Sequence, residues 1–137
     1  MEAKINWKGN LSFDGGADSG FSLLLGANPA VGGDNDGFRP MELIAIGLAG
    51  CTGMDVISIL KKMRVGPDYF NVEVVGEMTE EHPKYYHKIH LIYTFKGSDL
   101  PMEKLEKAVS LSQERYCGVT AMLGKAAEIT HEIRVNP

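Results

Sequence analysis

Between Pro40 and Arg64 the chain carries its longest apolar segment, which runs Pro40-Met41-Glu42-Leu43-Ile44-Ala45-Ile46-Gly47-Leu48-Ala49-Gly50-Cys51 and on through Leu60. Proline suits the first position of a helix, where its missing N–H has no partner to lose. Lys61, Lys62 and Arg64 suit the opposite end, where the helix dipole is negative. The segment therefore predicts a central helix over residues 40–64. Its apolar residues fall on nearly every side, so such a helix has to be buried almost all round, near the core or at a subunit interface. Asp55, Ser58 and several glycines break the run, which argues against a membrane span.

The flanking segments alternate instead. Ala3 to Lys8, Leu11-Ser12-Phe13 and Phe21 to Leu25 read as strands of an N-terminal meander over residues 1–38, with Asp14-Gly15-Gly16 as a turn. Residues 26–39 turn to Gly, Asn, Asp and Pro and read as a loop. Past Val65-Gly66-Pro67-Asp68, two strands are expected, Phe70 to Met78 and Tyr85 to Phe95, the second placing Ile89, Leu91, Tyr93 and Phe95 on one face. An amphipathic helix follows from Pro101 to about Tyr116 with Leu105, Ala108, Val109 and Ser112 inward. Asp99 is expected near its cap. A short helix over 118–127 and a strand over 129–135 close the chain. The order predicts an α+β fold with antiparallel sheets, in one domain spanning residues 1–137.

Charge narrows the function. The 14 basic residues against 18 acidic ones give a net charge of −4 with no basic block, which excludes a nucleic-acid footprint. The first residues, Met1-Glu2-Ala3-Lys4-Ile5-Asn6-Trp7, have neither the positive nor the apolar region of a signal peptide, so the expectation is a soluble, cytoplasmic protein with no membrane partner. Sixteen glycines in 137 residues suggest a loose single-chain fold that gains stability by oligomerising.

In a reducing compartment the two cysteines, Cys51 and Cys117, point to catalysis or redox sensing more than to a permanent crosslink. Cys51 lies in the apolar helix between Gly50 and Gly53; Cys117 opens a helix-like stretch, where the positive end of the dipole favours a thiolate. Burial alone would raise the thiol pKa of Cys51, so a thiolate there needs a nearby cation or hydrogen-bond donor. Cys117 can resolve a sulfenic acid on Cys51 if the fold brings the two together. Both residues also fit an inert role as small buried hydrophobes.

The run Pro40 to Cys51, with its Pro-x-Glu-Leu helix start and small-residue approach to the cysteine, followed later by Tyr116-Cys117-Gly118-Val119, resembles the osmotically inducible protein and organic hydroperoxide resistance family (OsmC/Ohr). The resemblance covers nearly the whole chain. It implies an intertwined homodimer with long buried central helices and two active sites at the interface. It also implies reduction of organic hydroperoxides in oxidative stress defence. Cys51 would attack the distal peroxide oxygen and become a sulfenic acid; Cys117 would form the disulfide; and an external dithiol, such as a lipoylated protein, would restore both thiols without a bound cofactor. The family also uses an arginine and a glutamate about the attacking thiolate. Aligned on Pro40, the glutamate of the hydroperoxide-resistance branch falls on Met41, one residue from Glu42, and residues 1–38 contain no arginine. Arg39 is the natural substitute, pairing with Glu42 over the pocket; the same two residues also read as a solvated pair at a helix start. The alternative function is a non-enzymatic small-molecule, lipid-binding or redox-sensing protein on this scaffold, or a persulfide carrier.

Other motifs carry less. Asp34-Asn35-Asp36-Gly37 lacks the downstream glutamate of a calcium loop and reads as a turn. His87 and His90 face opposite sides of a strand and cannot chelate together, and His82 and His131 read as ordinary histidines, so no metal is expected. Asp55 shares a helical face with Cys51, four residues on, and reads as a structural or interface carboxylate.

Overall fold

The computed structural model describes all 137 residues, which form two compact units, Met1–Ile44 and Ala45–Pro137. In the first, β1 (Ala3–Gly9), β2 (Ser12–Ala17) and β3 (Ser22–Leu25) make an antiparallel sheet in the order β1-β2-β3. The expected turn at Asp14-Gly15-Gly16 instead lies inside β2, where Gly15 pairs with Ile5 on one side and Leu23 on the other. A Cβ at Gly15 would come within 3.2 Å of Leu25 Cδ1, so the bare backbone makes room for its neighbours' side chains. The chain reverses four residues later. There Gly20, at φ +87°, donates its N–H to the carbonyl of Ala17 at 3.0 Å.

The glycine-rich loop after β3 folds back on that strand. The Phe38 N–H donates to Leu24 O at 2.8 Å and Gly26 N–H to Phe38 O at 3.1 Å. Asp36 Oδ2 accepts the buried Ser12 hydroxyl at 2.7 Å, so the acidic loop is anchored to β2 and is no free cation loop.

α1 (Pro40–Lys62) starts at the expected proline and stops two residues short of Arg64, which sits at φ +59°. In the second unit α1 buries one stripe, Leu48, Thr52, Val56 and Leu60, four residues apart along one face. The burial expected all round is not met within a single chain: Met54 is 77% and Ile46 51% exposed. By length and hydropathy alone α1 is apolar enough to cross a bilayer, but its buried stripe belongs to the core.

That core rests on a second sheet of β4 (Tyr69–Met78), β5 (Tyr86–Lys96) and β6 (Glu128–Val135), in the order β4-β5-β6. The inward row Ile89, Leu91, Tyr93 and Phe95 is buried as expected. β4 and β5 are antiparallel, with Val72 opposite Tyr93, but β5 and β6 are parallel, with Tyr93 opposite Ile133. This corrects the expectation of wholly antiparallel sheets. About thirty residues of mostly helical chain separate the two strands, enough for the crossover that parallel neighbours require. The crossover holds α2 (Met102–Leu111), a π-helical turn (Ser112–Tyr116) and α3 (Gly118–Leu123). Leu105, Ala108, Val109 and Ser112 face inward as predicted. The cap of α2 is Pro101 without a side-chain bond, and Asp99, at φ +53°, takes no part in it.

Candidate functional site

Cys51 projects from the middle of α1, half-buried, on the turn before Asp55. Cys117 arrives from the other end of the second unit's sequence through the π-helical turn. Its N–H donates to Ser112 O at 2.8 Å, a bond that spans five residues instead of four. The wider turn ends the helix, leaves Cys117 extended (φ −74°, ψ 104°) and makes it the cap of α3. The two sulfurs and a carboxylate oxygen of Asp55 all lie within 4.8 Å of one another. The structure thus brings together two thiols that are remote in sequence, and adds to them a carboxylate read from sequence as structural.

Cys117 is almost wholly buried, and its sulfur accepts the Thr120 N–H at 3.3 Å. Burial pushes its thiol pKa up; Thr120 opposes this, and the neighbouring Cys51 adds to the rise. The dipole argument from sequence expected the reverse. A six-residue helix gives one N–H to the sulfur, and that does not offset removal from water. Thr120 Oγ1 is itself buried without a hydrogen-bond partner, although near enough to act on the thiol.

Beneath the thiols runs a polar network that the sequence reading did not find. Thr52 Oγ1, on the buried stripe of α1, lies 2.7 Å from Tyr93 Oη and 2.8 Å from Ser112 Oγ. Gln113 Nε2 donates to Tyr93 Oη at 2.7 Å and to Thr52 Oγ1 at 3.2 Å. Ser112 donates onward to Asp55 Oδ2 at 2.9 Å. Thr52, Tyr93 and Ser112 are fully buried, so each hydroxyl needs these partners. Burial raises the Tyr93 pKa, with the hydrogen bonds from Thr52 and Gln113 acting against it, so the phenol stays neutral. The available signal was Tyr93 itself: a phenol on an inward-facing row requires a partner for its hydroxyl.

Arg39 and Glu42 lie in the first unit, and the expected guanidinium–carboxylate pair is absent. Glu42 Oε1 accepts the backbone N–H of Arg39 at 2.8 Å, the reciprocal half of a capping box. The Arg39 guanidinium donates to Gly37 O at 2.9 Å and to Asn35 Oδ1 at 2.6 Å. Both residues therefore serve the start of α1 and the loop before it. Of the histidines, His90 bonds Thr130 and Glu132 across β5 and β6, and His131 packs edge-on to Tyr93 at 6.0 Å.

Fold and site together define a small α+β protein with a two-thiol centre at the junction of a long helix and a crossover segment. The chain belongs to the OsmC-like protein family, whose family model it matches over residues 33–132. It is 37% identical over 135 residues to Protein YhfA of Escherichia coli strain K12, which spans 98% of both chains. The crystal structure of a hypothetical protein from Aquifex aeolicus VF5 superposes with a TM-score of 0.83 at 30% identity, covering 99% of this chain and 97% of that one. A structure described as an organic hydroperoxide resistance protein OsmC from Legionella pneumophila shares the fold, with a TM-score of 0.74 at 16% identity over 98% and 96% of the chains.

Proposed function

We propose that this protein is a thiol-dependent peroxidase for organic hydroperoxides, acting as a cytoplasmic homodimer in oxidative stress defence. The observation that carries the reading is the approach of the Cys51 and Cys117 sulfurs to within 4.8 Å of each other, both as free thiols. Cys51 is the more accessible and meets the substrate. Its thiolate attacks the distal oxygen of R–O–O–H, the O–O bond breaks, and the alkoxide leaves as the alcohol after taking up a proton. Cys51 is then a sulfenic acid. Cys117, protonated at rest because burial raises its pKa, gives up that proton as its sulfur attacks Cys51; the proton and the sulfenic hydroxyl leave as water and a Cys51–Cys117 disulfide remains. An external dithiol, for example on a lipoylated protein, returns both residues to thiols by exchange. Membership of the OsmC-like family supports the reading, and proteins described as organic hydroperoxide resistance proteins share its fold.

The exposed apolar side chains of α1, among them Ile46, Met54 and Ile57, support the homodimer. A second reading, a redox-sensing protein with little turnover, is favoured by one observation: the Arg39 guanidinium is already bonded to Gly37 and Asn35. Consumption of many equivalents of hydroperoxide in the presence of a dithiol reductant marks the peroxidase, and a single equivalent the sensor; the oxidation step that both require is tested first. Reduced protein receives one equivalent of an organic hydroperoxide, and its intact mass is followed over seconds. Rapid loss of two hydrogens within one chain, abolished in Cys51→Ser, is the expected result. Two alkylatable thiols remaining after minutes would overturn the peroxidase.

A further inference from the structure

The carboxylate beside the thiols is out of place in a site built only to hold a thiolate, since a negative charge there opposes ionisation. It is well placed for a cation. Cys51 and Asp55 are four residues apart on one helix, the spacing by which a helix presents two ligands to one metal ion. Cys117 supplies a third donor from a separate element, and the three ligand atoms lie within 4.8 Å of one another. Zinc takes thiolate sulfur at about 2.3 Å and carboxylate oxygen at about 2.0–2.2 Å, which sets ligand–ligand edges of roughly 3.5–3.8 Å in a tetrahedron. Contraction by about 1 Å, within the reach of side-chain rotation on a half-buried helix face, closes the present triangle to that size.

We propose that in the reduced protein Cys51, Asp55 and Cys117 form a three-ligand site for zinc(II), with a fourth position open to water. Two thiolates and one carboxylate select zinc over calcium or magnesium, which prefer all-oxygen shells. The supporting contacts are already in place. Ser112 donates to Asp55 Oδ2 at 2.9 Å and orients the carboxylate, and the Thr120 N–H donates to Cys117 Sγ at 3.3 Å, as amides do to metal-bound thiolates. Thr120 Oγ1, buried without a partner beside Cys117, is a ready acceptor for a zinc-bound water. The site stands on this geometry and holds whether or not the pair turns over hydroperoxide. The disulfide has no thiolate to offer, so the site exists only in the reduced state.

The test is zinc(II) titration of the fully reduced protein, without peroxide, against a colorimetric chelator, with cobalt(II) as a spectroscopic substitute. The expected result is one zinc per chain, with cobalt giving thiolate charge-transfer and tetrahedral ligand-field bands. Asp55→Asn, which keeps the side-chain shape and the bond from Ser112, is expected to weaken zinc binding by about tenfold or more. Cys117→Ala should remove about half of the charge-transfer intensity, since one thiolate of the two remains. Uptake no greater than that of the Cys51→Ser/Cys117→Ser double variant would overturn the site. So would unchanged affinity in Asp55→Asn. Loss of hydroperoxide turnover alone would leave the zinc result standing, and the converse holds equally.

Discussion

The Ser112 hydroxyl donates to Asp55 Oδ2 at 2.9 Å while lying 2.8 Å from Thr52 Oγ1, so one buried side chain joins the carboxylate beside the thiols to the hydroxyl cluster beneath them. Ser112→Ala is expected to leave the remaining partners of Thr52, Tyr93 and Gln113, intact but to strip Asp55 of its donor. The cost should be on the order of 1–3 kcal/mol, since the half-buried carboxylate loses a donor and the buried Thr52 hydroxyl loses one partner. Urea denaturation of the variant against the parent measures it. A change below about 0.5 kcal/mol would mean that water already serves the carboxylate.

The two thiols differ in access. Cys117 is 3% exposed and Cys51 is half-buried. Iodoacetamide at neutral pH is expected to modify Cys51 first, with Cys117 slower by roughly tenfold or more. Peptide mass mapping over a time course decides the order, and equal rates would contradict the burial of Cys117.

Alkaline pH should unfold the protein through Cys117 and Tyr93, whose pKa values are both raised, chiefly by burial. In the window above the unfolded values, the unfolded chain has ionised while the folded one still holds its protons. The unfolded state then binds fewer protons, and stability falls as pH rises. The contribution is intact below about pH 8.5 for the thiol and about pH 10 for the phenol, and is lost progressively above those values. Tm is expected to decline above about pH 8.5, with Tyr93→Phe flattening the slope above about pH 10. A slope unchanged in Tyr93→Phe would remove the phenol from the account.

Met54 is 77% exposed on α1. If α1 packs against its copy, Met54→Glu places a charge in that contact and should shift the protein from twice its 15.0 kDa chain mass toward the single mass. Light scattering during size exclusion reads the change. A parent already at the single mass would contradict the homodimer.

A Cβ on Gly37 would lie 2.6 Å from the backbone of Leu24, where the glycine-rich loop returns to β3. Gly37→Ala is expected to destabilise by about 1–3 kcal/mol through overpacking. Chemical denaturation measures it, and a neutral result would show that the loop yields.

Where local pattern suffices, the sequence was readable. Pro40 marks the start of α1, and alternation puts Ile89, Leu91, Tyr93 and Phe95 inward. Glycine misled at Asp14-Gly15-Gly16, because there it relieves crowding from Leu25 and does not make a turn. The parallel pairing of β5 with β6 depends on where the crossover lands, which no period reveals. Both cysteines stood out by chemistry, but their approach is a contact between residues 66 positions apart, fixed by the packing of α1 on the crossover. Asp55 was placed on the correct helical face without its partners, because Cys117 and Ser112 come from that same distant segment. Arg39 and Glu42 showed the opposite hazard: the pattern Arg-x-x-Glu fitted a thiolate clamp, yet it builds a helix cap.

The π-helical turn from Ser112 to Tyr116 carries one more residue than an α-helical turn would hold. Deleting that residue, for example Glu114, would let the turn close regularly and move the start of the following segment, Cys117 first, by about 100° around the helix axis. Cys117 would then leave its neighbour without any change to its own identity. The meeting of the two thiols is thus encoded in the count of residues along a segment as well as in the cysteines themselves.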